Sequence, residues 1–330
     1  MEHTGGELRE ATGKDTSALS ADNTRAAYSG AVGDLISEGR NIVLVEADVM
    51  KSAGTLPVRE RYPERVIQVG IAEQNAVGVA AGLADMGFIP IVETFAVLIG
   101  RRALDQVWMA VAFSGANVKL AGLYSGFTIA ENGATHQSLE DLAVLRAIPE
   151  IVILEPADPR ELVQMVRAAV DHVGPVYLRT VRGSLPDIYE ELPGFEIGKA
   201  IVVASGDDLT ILASGVMVQY ALTARNLLAE QGVEARVVNP RTIKPIDAET
   251  VIRCAEETGC IVTVEDHGVT GGLGSAVAEL LGECRPTPMK RVGVRDRFGD
   301  SGSFAQLIEK YQMDPPAIAE AALSVLRMKT

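Results

Sequence analysis

Cysteine is scarce in this chain: 3 of 330 residues, Cys254, Cys260 and Cys284, all in one half and none in a C-x-x-C spacing. So odd and scattered a set argues against a disulfide framework and against a cysteine-rich zinc site. Three small buried hydrophobes in a reducing compartment are expected instead. Histidine is nearly as rare, and the 4 residues His3, His136, His172 and His267 never stand at the i, i+4 spacing of a helical metal pair. Positive charge is short as well. With 30 Lys and Arg against 44 Asp and Glu the chain carries −14 at pH 7, which repels nucleic acid and favours solubility without naming a small substrate. No apolar run approaches the roughly 18 residues of a membrane-spanning helix. Residues 1–21 mix both charge signs without an apolar stretch, so a disordered tail is expected there in place of a signal peptide, with a cytoplasmic location.

What is present describes an α/β protein. At 330 residues, 47% hydrophobic and with 32 glycines, the chain fits two domains of about 150 residues each. Short β-branched runs alternate with helical stretches from Asn23 onward. Strands are expected at Ile42 to Ala47, Arg65 to Gly70, Ile89 to Glu93, Val118 to Leu123, Ile151 to Glu155 and Val176 to Arg179. Helices are expected between them at Asn23 to Leu35, Glu73 to Met86, Arg101 to Phe113 and Ser138 to Ala147, and another starts at Asp158-Pro159-Arg160-Glu161, which reads as a cap, an N1 proline and a capping-box acid. Apolar strands separated by helices predict a doubly wound, mostly parallel sheet over residues 22–186. The stretch Leu185 to Gly198 breaks the rhythm with prolines, glycines and acids, so residues 187–198 are expected to be a linker. The alternation resumes over residues 199–330 as a smaller α/β domain of about five strands.

Ligands of such sheets bind at the carboxyl ends of the strands, so residues that follow strands are the candidates. Glu73 opens an apolar helix, where a first-turn acid is common for its dipole alone. Thr135-His136-Gln137 lies in a loop, where a lone histidine is usually solvated or satisfied. Their combination carries more. Gly70-Ile71-Ala72-Glu73-Gln74-Asn75, then Glu93-Thr94-Phe95, then Asn132-Gly133-Ala134-Thr135-His136-Gln137, with Asp105-Gln106 and Ile148-Pro149 through Asp158, stand in the order and spacing of the transketolase family. The chain resembles the C-terminal two-thirds of a transketolase from about Asn23 onward.

The resemblance implies a pyrimidine-binding domain followed by a transketolase C-terminal domain, a two-carbon ketol transfer and thiamine diphosphate as cofactor. In the family a glutamate at the position of Glu73 hydrogen-bonds N1′ of the aminopyrimidine, so a carboxyl in an apolar pocket is expected there. Phe95 matches the ring-stacking aromatic, Leu98 stands where a second ring-packing aromatic is usual, and Asp48 matches a residue of a strand-end loop near the cofactor. His136 matches the histidine beside the reacting oxygen. Arg25, Ser52 and Arg182 match the contacts to the acceptor phosphate. Asn132 replaces a usual aspartate and Tyr124 a usual histidine, which opens the identity of donor and acceptor.

No Gly-Asp-Gly motif for the magnesium that holds the diphosphate occurs in this sequence. Gly206-Asp207-Asp208 is expected to be a tight turn, and Thr270 to Gly274 a close-packed strand-to-helix turn. The resemblance therefore implies a separate N-terminal subunit that supplies the Mg2+ ligands, in an α2β2 assembly acting on a phosphorylated sugar. Alternatives that share the cofactor are a β-type subunit of a 2-oxoacid dehydrogenase and a deoxyxylulose-phosphate-synthase-like enzyme. A non-catalytic regulatory subunit is a third, which the joint retention of Glu73, His136, Arg25 and Arg182 argues against.

Overall fold

A computed structural model of the chain describes residues 23–189 and 191–329; the expected tail over residues 1–21 lies outside them. The strands are β1 (Ile42–Glu46), β2 (Val66–Gln68), β3 (Ile89–Phe95), β4 (Lys119–Leu123), β5 (Val152–Leu154), β6 (Val176–Arg179), β7 (Ile201–Ala204), β8 (Leu209–Ala213), β9 (Ala235–Asn239), β10 (Thr242–Lys244), β11 (Ile261–Gly268) and β12 (Met289–Val294). They form two sheets. The first has seven strands in the order β10-β5-β6-β4-β3-β1-β2, and the second five in the order β12-β11-β8-β9-β7. All pairs in the first are parallel except β10 against β5, and all in the second except β7 against β9.

The central strands are apolar because both faces are covered, and every residue of β1 and β4 is buried. One face carries the helices Asn23–Ser37 and Pro159–Asp171, whose Val32, Leu35, Leu162, Met165 and Val166 join Leu44 and Leu178 in one cluster. The Pro159–Asp171 helix starts as its sequence predicts, with the Asp158 side chain accepting from the Glu161 amide at 2.7 Å and proline in the first turn. The Glu161 carboxylate, however, accepts from the Ala157 amide at 2.7 Å instead of closing the box on Asp158.

The other face builds a core shared between the two sheets. Val45, Val77, Leu142 and Tyr177 of the first part pack in one cluster with Leu212, Val238, Ile261 and Leu273 of the second. Strand β10 strengthens this union, since a segment that follows β9 leaves its own sheet and pairs with β5. Among its described residues the segment expected to be a linker has neither helix nor strand, yet it is no solvated tether: Tyr189 is buried and the Phe195 ring lies 4.7 Å from the Arg241 guanidinium.

Three expectations need correction. The helix expected over Arg101 to Phe113 is broken into a short helix Ala96–Gly100, a turn, a single helical turn Leu104–Gln106 and a π-helical stretch Val107–Ala112. The Phe113 amide bonds to Trp108 O, five residues back, which widens the coil and leaves Trp108, Met109 and Phe113 in solvent. The helix expected from Ser138 begins only at Asp141, because the preceding residues are tied to the second domain. Cys284 is exposed, while Cys254 and Cys260 are buried as expected. Among the described residues no helix is long and apolar enough to cross a membrane.

Candidate active site at the carboxyl edge of the first sheet

The carboxyl ends of β1, β2, β3, β4 and β6 lie along one edge, and the candidate residues leave the sheet there. Two acids lie toward the carboxyl ends of β1 and β3: Glu46, the last residue of β1, and Glu93, two residues before the end of β3, are register partners and fully buried. Glu93 accepts from Tyr28 Oη at 2.8 Å and Thr55 Oγ1 at 2.9 Å, and burial pushes its carboxyl up to about 7. Glu46 accepts from the amides of Asp48, at 2.9 Å, and Val49, and from Gln68. These bonds hold the turn after β1, where exposed Asp48 adopts a left-handed φ of 62°.

Glu73 opens the helix Glu73–Asp85 and is 1% exposed. Ala76, Val77 and Ala80 of the same helix are buried as well. The pocket is not purely apolar, which corrects the expectation: Arg102 Nη1 donates to Glu73 Oε2 at 2.7 Å from a half-exposed position. Glu73 Oε1 accepts no hydrogen bond among the described residues.

Phe95, the last residue of β3, is half-buried. Its ring stacks on Tyr124 with centroids 5.3 Å apart and planes 23° apart, and the His136 ring lies 6.2 Å away. His136 shares a 2.9 Å hydrogen bond between Nδ1 and Thr135 Oγ1. Tyr124 follows β4 with a φ of 58° and is the hub of the basic pair. Arg182, exposed after β6, lies 5.4 Å from its ring centre, and Arg25 Nη1 stands 3.5 Å from its hydroxyl. Both Arg25 Nη1 and Tyr124 Oη donate to the backbone oxygen of Ser52, at 3.3 and 2.5 Å. Ser52 thus meets this cluster through its carbonyl.

The structure therefore brings Arg25, Ser52, Phe95, Tyr124, His136 and Arg182 into one connected group. Glu73, Asp48, Leu98 and Asn132 stand on the same edge: Leu98 is half-buried in the helix after Phe95, and Asn132 is exposed in a 3-10 turn. Sequence reasoning missed Arg102, Tyr28 and Glu46, and met Glu93 only as a member of the Glu93-Thr94-Phe95 motif, without a role. Only the two glutamates left a signal, an acid after each of two apolar runs.

Beneath the site, Arg179 at the end of β6 is 1% exposed. Its Nε donates to Asp141 Oδ2 at 2.8 Å, Nη1 to Glu155, and Nη2 to the Asp266 carbonyl at 2.8 Å. Asp266 and its neighbours Glu265 and His267 belong to β11, so this guanidinium ties the two halves of the chain together. The glycine run before the Leu273–Cys284 helix is a strand-to-helix turn. Glu265 accepts the amides of Leu273 and Gly274 at 2.7 and 2.9 Å, and a Cβ on Gly272 would fall 1.9 Å from that carboxylate. A carboxyl group of the protein itself fills this helix N-terminus. Where a tight turn is expected at Gly206-Asp207-Asp208, Asp207 and Asp208 form a bend before β8.

A seven-stranded sheet in this order, a buried glutamate after β2 and a smaller sheet docked on the same core define the pyrimidine-domain and C-terminal-domain part of a transketolase-type transferase. Residues 21–187 match the family described as "Transketolase, pyrimidine binding domain" and residues 198–318 the family described as "Transketolase, C-terminal domain". The chain belongs to the transketolase family, whose members depend on thiamine diphosphate, and corresponds to the C-terminal subunit of its split-gene members. It is 45% identical over 288 residues, 87% of this chain and 89% of the relative, to the "6-deoxy-6-sulfo-D-fructose transketolase subunit SqwH" of Clostridium sp. (strain MSTE9). It is 38% identical to an apulose-4-phosphate transketolase subunit of Phocaeicola vulgatus, covering 92% of this chain and 97% of the relative. A solved structure described as "Split gene transketolase, inactive beta4 tetramer" matches 94% of this chain and 100% of its own, with TM-score 0.88 and 40% identity.

Proposed function

We propose that this subunit transfers a two-carbon ketol unit between phosphorylated sugars, in company with an N-terminal subunit that carries the diphosphate-binding domain and the Mg2+ ligands. The observation that carries the reading is the convergence on one sheet edge of a buried carboxyl, a half-buried aromatic and an arginine pair. The donor set suits the cofactor: Glu73 offers a free carboxylate oxygen at a helix start, and Phe95 a flat apolar face. When bound, thiamine diphosphate would supply the carbon nucleophile that ketol transfer needs. Glu73 would hold a proton at the ring nitrogen, Phe95 and Leu98 would orient the ring, and Asp48 would line the loop beside it. For that, Arg102 has to share or release Glu73, since its guanidinium already occupies Oε2.

His136 would donate a hydrogen bond where negative charge develops on the substrate oxygen, and Asn132 would meet the donor's hydroxyl. Arg25 and Arg182 flank Tyr124 as two cations suited to one phosphate ester, with Ser52 at its rim. The requirement for a second chain is supported by the split-gene neighbour, which is described as an inactive beta4 tetramer; an α2β2 assembly and a cytoplasmic setting follow from the same reading. The test is cofactor titration followed by ketol-transfer assay with a panel of sugar phosphates, using this chain, an N-terminal subunit and their mixture. Carbon dioxide release from pyruvate by the mixture, without ketol transfer, would replace this reading with a decarboxylating one.

A further inference from the structure

The loop over residues 125–140, which carries Asn132 and His136, has little regular structure of its own. Within it the Gly126 amide donates to Ser138 O at 3.0 Å, and the His136 and Gln137 amides to Gly133 O at 3.0 and 3.2 Å. The C-terminal half of the chain supplies a second set of anchors. The Phe127 amide donates to both carboxylate oxygens of buried Asp266 at 3.0 Å, and the Gly268 amide to Leu139 O at 2.8 Å. Gln137, 1% exposed, sends its Nε2 to Asp300 O at 2.7 Å and to Ala130 O at 3.1 Å. The Phe127 ring packs 4.7 Å from that of Tyr311.

The fit between loop and domain leaves no room for another atom. A Cβ on Gly126 would fall 2.1 Å from Asp266 Oδ2, one on Gly299 1.6 Å from Gln137 Oε1, and one on Gly133 2.7 Å from Ser301 Oγ. Gln137 therefore faces the C-terminal domain, whereas its neighbour His136 faces Phe95.

We propose that the C-terminal domain is the template for this loop: Asp266, Gln137 and the segment over residues 298–301 are positioning residues that fix His136 and Asn132 against the sheet edge. The proposal rests on the reading of His136 as substrate-facing. A loop without a ladder lies at the low end of local stability, and a misplacement of about 1 Å can cost on the order of a hundredfold in rate. Glu73 and Phe95 stand outside the loop, on a helix start and a strand end. Loosening the loop should consequently lower turnover and leave cofactor binding alone.

The experiment uses the full chain with Gly299→Ala and, separately, Gln137→Met, which keeps volume and drops both donor bonds. Hydrogen exchange is followed by mass spectrometry, and the variants are then assembled with an N-terminal subunit for kinetics. The expected result is exchange about tenfold faster over residues 125–140 with the Pro159–Asp171 helix at its wild-type rate, kcat/KM down by about tenfold or more, and cofactor affinity held within about twofold. If Gly299→Ala fails to fold, Gln137→Met carries the same test. Unchanged exchange in the folded variants overturns the template. Faster exchange with unaltered turnover overturns instead the assignment of His136 to the substrate, and with it the positioning role.

Discussion

Replacing Arg179 by methionine keeps an unbranched apolar stem and removes the cation from a buried cluster. The guanidinium bonds to Asp141, Glu155 and the Asp266 carbonyl, and all three residues are at most 2% exposed. Removing one partner of a buried ion pair typically costs about 3–5 kcal/mol, because the other charge is left without compensation. At about 2–4 °C per kcal/mol for domains of this size, the melting temperature should fall by roughly 6–20 °C. The pH dependence identifies the cause. Burial alone would raise the Asp141 carboxyl, yet the charges of Arg179 and His267 and the hydrogen bonds of Arg179 and Tyr177 hold it below its ordinary value. A depressed carboxyl contributes stability above its unfolded pKa and loses it as pH falls through the folded one. In the variant burial prevails, the carboxyl rises, and ionising it becomes a cost. The gap between wild type and Arg179→Met should thus be widest at neutral pH and close toward about pH 4. Urea unfolding of the full chain at pH 8 and pH 5 measures it. A gap below about 1 kcal/mol, or one that does not change with pH, would refute the reasoning.

Asp266 titrates in the opposite sense: burial pushes it from 3.8 up to about 7, against the pull of Arg179 and the Phe127 amide. Stability present below its unfolded pKa is lost as pH rises through 7, so Asp266→Asn, which keeps an acceptor for Phe127, should flatten that decline. At pH 8 it should exceed wild type by up to about 4 kcal/mol; superimposable pH profiles would count against it. Arg25→Ala and Arg182→Ala should each raise KM for a phosphorylated acceptor by roughly 10- to 100-fold, the loss of one charge-assisted contact. Unphosphorylated acceptors should be little affected, and equal losses on both would remove the phosphate assignment.

Much of the fold could be read from residue pattern. β1 and β4 are unbroken apolar runs because both faces of a central strand are covered, and Asp158 with Pro159 marks a helix start by local chemistry alone. Strand β10 could not be read. Thr242–Lys244 is three residues between two prolines, and only the free edge of β5 makes it a strand. The π-helical stretch is likewise a matter of packing, since Val107 to Ala112 has ordinary helical composition. At the site, Glu73 and His136 gained meaning from their joint spacing in a known family, each being commonplace alone. Arg102 stayed hidden because its contact with Glu73 spans 29 residues. Asp266 stayed hidden, and Gln137 showed only as a motif member without a role, because their partners lie in the other half of the chain.

The central claim is that Glu73 activates a cofactor whose diphosphate is held by another chain. The most direct measurement is ketol transfer with thiamine diphosphate and magnesium by this subunit alone, by its mixture with an N-terminal transketolase subunit, and by the mixture made with Glu73→Ala. Activity in the wild-type mixture alone, with the variant folded and assembled but inactive, is the predicted result. Turnover by the isolated subunit, or by the Glu73→Ala mixture at wild-type rate, would contradict the account.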